Sequence, residues 1–165
     1  MSERSLCSTH RIRKVDQGLN LHPFIVHFPL ALLILSALSD TVGILGRREQ
    51  ALKMGYVLLL LGTLGAIGGA LSGQSAAEAA AAIPGAGQDL DEHEDLGTAV
   101  VWAAITLTLI RTHLVHRKQF TETTRVVYLL FTLGVAGLVS ASGYTGGHLV
   151  YKYGAGTQPV LDTLE

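Results

Sequence analysis

The stretch that decides the fold is residues 54–77, MGYVLLLLGTLGAIGGALSGQSAA, which contains no Asp, Glu, Lys or Arg. A helix needs about 20 predominantly apolar residues to cross the hydrocarbon core of a bilayer. Three more segments have this character, at about 24–45, 96–115 and 126–146. Because lipid offers the backbone no hydrogen-bond partners, each such segment must be helical. The sequence therefore predicts an all-α bundle of four transmembrane helices.

The composition agrees with a membrane protein and excludes several other classes. Charged residues make up 15% of the 165 residues, against about 25% in ordinary soluble domains. The net charge of −1 gives no basic field for nucleic acid. The single cysteine, Cys7, excludes an intrachain disulfide and a c-type haem attachment motif. We divide the chain into a basic arm (1–20), a four-helix membrane domain (21–158) and a C-terminal tail (159–165).

The distribution of Lys and Arg predicts the orientation in the membrane. Seven lie in or beside the loops that join helix 1 to 2 and helix 3 to 4 (Arg47, Arg48, Lys53, Arg111, Arg117, Lys118, Arg125). Five lie on the other side (Arg4, Arg11, Arg13, Lys14, Lys152). The side with more positive charge faces the cytoplasm. We therefore expect a multi-pass protein of the bacterial inner membrane with both termini in the periplasm.

Helices 2 and 4 contain similar sequences. Leu60–Gly65 with Gly68 matches Leu129–Gly134 with Gly137 at a fixed offset of 69 residues. The match suggests one helical hairpin used twice, with both copies in the same orientation. The alternative is chance similarity between two helices that are rich in Leu and Gly.

Small residues recur every four positions on both of these helices: Gly65, Gly69 and Gly73 on helix 2, Gly137 and Ala141 on helix 4, and Gly143 and Gly147 at the outer end of helix 4. Such stripes let helix backbones approach closely in a membrane. The sequence leaves two interpretations open, which are close packing between helices and room for a flat cofactor.

Four histidines fall at the predicted outer end of the bundle: His22, His27, His93 and His148. His22 and His27 are five residues apart, about 140° around a helix, so they cannot face the same point. We expect Pro29 to kink helix 1 below His27, with His27 facing inward and His22 nearer the surface. His113 and His116 lie at the opposite end and are interpreted as ordinary interface residues.

Neutral imidazole binds haem iron, copper and zinc. His27 and His93 are therefore the predicted ligands of a haem b, or of a copper or zinc ion, with His22 and His148 as alternates. Acidic residues 91–95 around His93 are expected to orient its second ring nitrogen. No helix carries two histidines about four turns apart, so we expect at most one haem, or two crowded on one side. The alternative is that His27 only caps a kinked helix and that no cofactor binds.

Asp40 is the one acid in helix 1. It lies thirteen residues beyond His27, about 20 Å deeper along the helix. This places it near the cytoplasmic interface, where we expect it to pair with Arg47, Arg48 or Lys53.

Two motifs resemble those of DUF2231, a family of small bacterial membrane proteins. They are His22-Pro23-x-x-x-His27-Phe28-Pro29 and Gly146-Gly147-His148-Leu149-Val150-Tyr151-x-x-Gly154-x-Gly156. The resemblance covers roughly residues 19–160 and implies a four-helix membrane unit without an assigned activity. Relatives joined to c-type cytochrome or Rieske modules imply an electron-transfer setting. This chain differs from relatives in having Tyr153 where His is frequent, and His148 where Arg or another polar residue is usual.

Two functions from different classes follow. The first is a haem- or metal-binding subunit that passes electrons between the quinone pool and an outer partner. The second is a structural or assembly subunit of a membrane complex without its own cofactor. Neither is an enzyme in its own right, and both imply lipid, other membrane or periplasmic redox subunits, or a homo-oligomer as partners. A transporter ranks lowest because helices 2 and 4 offer only hydroxyls at mid-depth (Thr63, Ser72, Thr132, Ser140).

Overall fold

The structure, a computed structural model, describes residues 22–155. The basic arm with Cys7 and the C-terminal tail lie outside this range. The described chain forms four long α-helices, α1 (His22–Leu45), α2 (Glu49–Ala81), α3 (Gly87–His116) and α4 (Glu122–Tyr153). All four are long and apolar enough to cross a membrane. The prediction of an all-α, four-helix membrane bundle is thereby confirmed.

The helices are arranged so that each packs against two neighbours. Interfaces join α1 to α2, α2 to α3, α3 to α4, and α4 back to α1. Among these described helices, no Cα of α1 comes within 8 Å of α3, so the two lie diagonally across the bundle. We call the end with residues 46–48 and 117–121 the loop end. The other end, with His22, residues 82–86 and Tyr153, is called the terminal end.

The bundle is built from two equivalent hairpins, α1–α2 and α3–α4. Residues of α1 correspond to residues of α3 at an offset of 71, so that buried positions coincide. The coincident buried pairs are Pro29 and Val100, Leu33 and Ala104, Ser36 and Leu107, and Asp40 and Arg111. The backbone agrees, because Arg47 and Lys118 are both non-glycine residues with positive φ, at 50° and 54°.

The offset between α2 and α4 is 73, because the second loop has two more residues than the first. The offset of 69 suggested by the similar letters is wrong by one helical turn. It would equate Gly65, which faces Pro29 of α1, with Gly134, which is exposed and faces open space. A Leu- and Gly-rich sequence matches itself equally well after a shift of one turn. Residue identities alone therefore give the wrong alignment of α2 with α4.

The glycine stripe of α2 packs closely against α1. A Cβ at Gly62 would lie 2.8 Å from Leu33 Cδ2, and a Cβ at Gly65 would lie 3.2 Å from Pro29 Cδ. The packing interpretation is therefore confirmed for α2. On α4 it is wrong for Gly137, which is exposed with open space beside it, and correct for Gly143, where an added Cβ would collide with the side chain of Leu30 on α1.

Candidate functional site

The terminal end of the bundle axis carries two equivalent histidines, His22 on α1 and His93 on α3. They are related by the same offset of 71 as the rest of these helices, and both side chains are half-buried. Because α1 and α3 lie diagonally across the bundle, the two imidazoles approach from opposite sides of its axis.

The His22 ring is held by α2. Its Nδ1 lies 2.9 Å from the hydroxyl oxygen of Ser72, and that hydroxyl donates its own proton to the carbonyl of Gly69 at 2.9 Å. When the Ser72 hydroxyl donates to Gly69, its oxygen accepts from Nδ1, and this arrangement places the ring proton on Nδ1. In the neutral ring, the lone pair then resides on Nε2, the form in which imidazole binds a metal.

The His93 ring is held in the same way by α4. Its Nδ1 lies 3.0 Å from the hydroxyl oxygen of Thr145, which donates to the carbonyl of Ser142 at 3.0 Å. The same reasoning gives the same tautomer, with the lone pair on Nε2. The expectation that the acidic residues around His93 orient the ring is wrong, because Thr145 does so.

A glycine lies against the Cε1 atom of each ring. A Cβ at Gly73 would come 3.2 Å from Cε1 of His22, and a Cβ at Gly146 would come 2.9 Å from Cε1 of His93. Each hydroxyl therefore belongs to a two-residue unit, Ser72-Gly73 or Thr145-Gly146, that binds one imidazole and lets the ring pack directly against the helix backbone. The α2/α4 offset of 73 relates these two units.

The environment keeps His22 neutral. Burial lowers the pKa of His22 below its ordinary value of 6.5, and the nearby His93 lowers it further, while the Gly69 carbonyl acts in the opposite direction. The influence of His93 also indicates that the two rings are near enough to interact electrostatically across the axis. At neutral pH the His22 imidazole is consequently uncharged and able to act as a ligand.

The hydrophobic core is interrupted at the level of these histidines. A central cluster of buried side chains reaches Ala66, Val100 and Val139 towards the terminal end. A smaller cluster, made of Ala80, Leu90 and Leu149, lies at the end itself. Among the side chains that the structure describes, α2, α3 and α4 bury no hydrophobic residue between the two clusters. Ser72, Gly73, Thr145 and Gly146 lie beside the two histidines in this layer.

The other predicted ligands are not brought to this pair. His27 is exposed on α1, so the expectation that His27 faces inward and His22 lies nearer the surface is wrong. Pro29 is buried and packs against Gly65, and His22, two helical turns earlier, lies on the same face of α1. His148 is 44% exposed and its Nε2 lies 3.5 Å from a carboxylate oxygen of Asp89.

Within residues 22–155, no three His, Cys, Asp or Glu side chains are grouped so that they could hold a metal ion. A zinc site is normally built from three or four protein ligands. A haem differs, because the porphyrin supplies four nitrogens and the protein only the axial ligands. The paired imidazoles fit the second chemistry better than the first. His113 and His116, at the loop end, are both exposed.

At the loop end, the structure contains a polar site that the sequence did not predict. Asp40 does not pair with Arg47, Arg48 or Lys53, and that expectation is wrong. It contacts Arg111 of α3, whose Nη2 lies 3.4 Å from Oδ1 of Asp40, and both side chains are buried. This site was not predicted because Arg111 directly follows the uncharged run 96–110, and a basic residue in that position is assigned to the loop.

A known protein family matches this chain over all four helices. The model of the family described as a predicted membrane protein, DUF2231, matches residues 18–159. Neither the curated proteins nor the solved structures gave a significant match. The matched segment includes all four helices, both equivalent histidines and the Asp40–Arg111 pair. The chain therefore belongs to the DUF2231 family of membrane proteins.

Proposed function

We propose that the terminal end of the bundle binds one haem b between His22 and His93, and that the protein is an electron-carrying subunit of the membrane. The observation that carries this proposal is the equivalence of the two histidines. Each has its Nδ1 fixed by a hydroxyl of the adjacent helix, at 2.9 Å and 3.0 Å. Two imidazoles on diagonal helices, both with the lone pair on Nε2, are what axial ligation from opposite sides requires.

The surroundings of the pair support the same proposal. Ser72 and Thr145 would fix the ring orientation and increase ligand basicity, as outer-shell hydrogen bonds do in other metal sites. Gly73 and Gly146 let each imidazole pack directly against the backbone of the adjacent helix. Among the described side chains of α2, α3 and α4, no buried hydrophobic residue lies at this level.

A bound haem would supply reversible one-electron chemistry. The chain's contribution is to hold both ligands neutral, to orient them and to surround the site with helices that limit access of water. The basic loops favour a cytoplasmic position for the loop end, so the haem would lie near the periplasmic surface of the inner membrane. This position suits exchange of electrons with a redox partner that is soluble in the periplasm or bound at that surface.

Visible spectroscopy tests the proposal. The protein, purified from membranes in mild detergent without added haem, should show a Soret band and, after reduction, the sharp α and β bands of a six-coordinate haem b. A pyridine haemochrome assay should give about one haem per chain, as expected for one pair of axial ligands. Absence of a Soret band from protein produced with sufficient haem would leave the structural-subunit function as the better explanation.

A further inference from the structure

The buried pair at the loop end is not used by the proposed haem site. Asp40 is 0% exposed and Arg111 is 2% exposed. Their contact is a single one of 3.4 Å, between Nη2 of Arg111 and Oδ1 of Asp40. A strong guanidinium–carboxylate pair instead forms two parallel hydrogen bonds of about 2.7–2.9 Å. Asp40 is therefore held only weakly by its charged neighbour.

Arg111 is stabilised mainly by groups other than Asp40. Its Nη2 donates to the carbonyl of Leu52 at 3.0 Å. The guanidinium carbon lies 3.7 Å from the ring centroid of Phe120, 4.6 Å from that of Tyr128 and 6.0 Å from that of Tyr56. Aromatic faces attract a cation more strongly where water is excluded. The charge of Arg111 thus remains stabilised whether or not Asp40 is ionised.

Several buried polar atoms around the pair lack a hydrogen-bond partner among the described residues. They are Oδ2 of Asp40, Nε and Nη1 of Arg111, and the hydroxyl of Tyr128. Buried polar atoms are almost always paired, and such groups commonly indicate bound water. A water molecule suits this set, because it can accept from Arg111 and donate to Oδ2 of Asp40.

Phe120 packs against Arg111 at the loop end. Its ring centroid lies 3.7 Å from the guanidinium carbon of Arg111 and 5.4 Å from that of Arg125. Arg125 donates to the Phe120 carbonyl at 3.1 Å and pairs with Glu49 at 2.8 Å. Asp40 lies five residues from the end of α1, about 7–8 Å along the helix axis. The carboxylate is therefore close to the loop end, where the side chains of Ile44 and Leu52 are buried and Phe120 packs against the hydrophobic core.

We propose that Asp40 is a proton-exchange site, hydrated and reached from the loop end past Phe120. The groups that face its carboxylate are Arg111 from α3, Tyr128 from α4 and the backbone of α2 at Gly55. A hydronium ion at the loop end gives its proton to Oδ2, so that one O–H bond breaks and one forms, a water molecule is left, and Arg111 keeps its charge. An ionisable residue inside a membrane bundle is by default a functional one. This proposal does not depend on haem binding.

Dicyclohexylcarbodiimide tests it, because this apolar reagent adds to protonated carboxyl groups in membranes and leaves a stable adduct. The full-length protein in detergent is treated over a range from mildly acidic to mildly alkaline pH, and the peptide that contains Asp40 is quantified by mass spectrometry. We expect Asp40 to be modified at acidic pH and progressively less as the pH rises. Asp40→Asn should lose this adduct, while Phe120→Ala should accelerate it several-fold.

Two results would overturn the proposal. In one, Asp40 stays unmodified at every pH in the folded protein although detergent-unfolded protein is labelled, which would show a permanently ionised structural pair. In the other, Phe120→Ala leaves the labelling rate unchanged, which would show that Phe120 does not control access. The wild-type measurement decides the first point even if the variants fold poorly.

Discussion

Asp40 and Arg111 hold equivalent positions in the two helical hairpins, and their side chains meet across the bundle axis. The offset of 71 residues between them is the one that relates His22 to His93. In each of α1 and α3, 18 residues separate the two sites, which is five helical turns and about 27 Å. The axis therefore carries paired imidazoles at one end and an acid–base pair at the other, with an apolar core between them.

The first prediction concerns the Asp40–Arg111 pair. Arg111→Leu should destabilise the bundle by roughly 3 kcal/mol, because it leaves Asp40 buried without a positive partner. Asp40→Leu should cost less, because the Leu52 carbonyl and the rings of Phe120 and Tyr128 still stabilise the charge of Arg111. The double variant should be destabilised by less than the sum, since two apolar side chains leave no uncompensated charge. Thermal unfolding of the four proteins in the same detergent gives this coupling energy. Additive losses would mean that the two side chains do not interact.

The second prediction concerns the glycines of α2. Gly65→Leu should destabilise the protein by about 1–3 kcal/mol, because its side chain would be forced against Pro29. Gly134→Leu is the matched control, since it changes the glycine that the misleading offset of 69 equates with Gly65 and lies in open space. The yield of folded protein and its unfolding temperature should fall for the first variant only. Equal losses would contradict the register described above.

The sequence predicted the number of helices and their order, because long uncharged runs in lipid permit only one structure. It did not predict the rotation of α1, which turns His22 rather than His27 towards the inside of the bundle. A usable signal was present in Asp40, which as an acid in a membrane span marks the inward face. His22 lies five turns before Asp40, on the same face of α1, whereas His27 lies about 140° around the helix from that face.

Arg111 was missed for a different reason. A basic residue directly after an apolar run is the usual sign of a membrane interface, so the sequence alone groups Arg111 with the loop, although the predicted segment 96–115 includes it and α3 does continue to His116. Its inward position depends on Phe120 and Tyr128, which come from the next loop and helix. Such long-range packing cannot be predicted from a local pattern.

The third prediction concerns pH. Burial lowers the pKa of His22 below 6.5 in the folded protein, so the unfolded chain takes up a proton more readily. The contribution of His22 to stability is complete above the ordinary pKa and is lost as the pH falls through and below it. The unfolding temperature should therefore decrease below about pH 6.5. His22→Gln should flatten this dependence, and His148→Gln, which alters an exposed ring, should leave it in place.

The fourth prediction concerns orientation. In a Cys7→Ser background, Gln88→Cys lies at the terminal end and Lys118→Cys at the loop end, and both positions are exposed. A membrane-impermeant maleimide added to intact cells, with the outer membrane made permeable, should label position 88 and not position 118. This labelling pattern is expected because loops rich in Lys and Arg face the cytoplasm, where the maleimide cannot reach position 118. The opposite labelling pattern would invert the topology and put the histidine pair on the cytoplasmic side.

The most direct test of the account is the haem content of matched histidine variants. His22→Ala and His93→Ala should each lose most of the Soret absorbance per chain, because one remaining axial ligand holds the iron on one side only. His27→Ala and His148→Ala, whose side chains are exposed, should keep wild-type haem content. A Soret band that survives both of the first two substitutions, or that disappears with His27→Ala, would contradict ligation by His22 and His93.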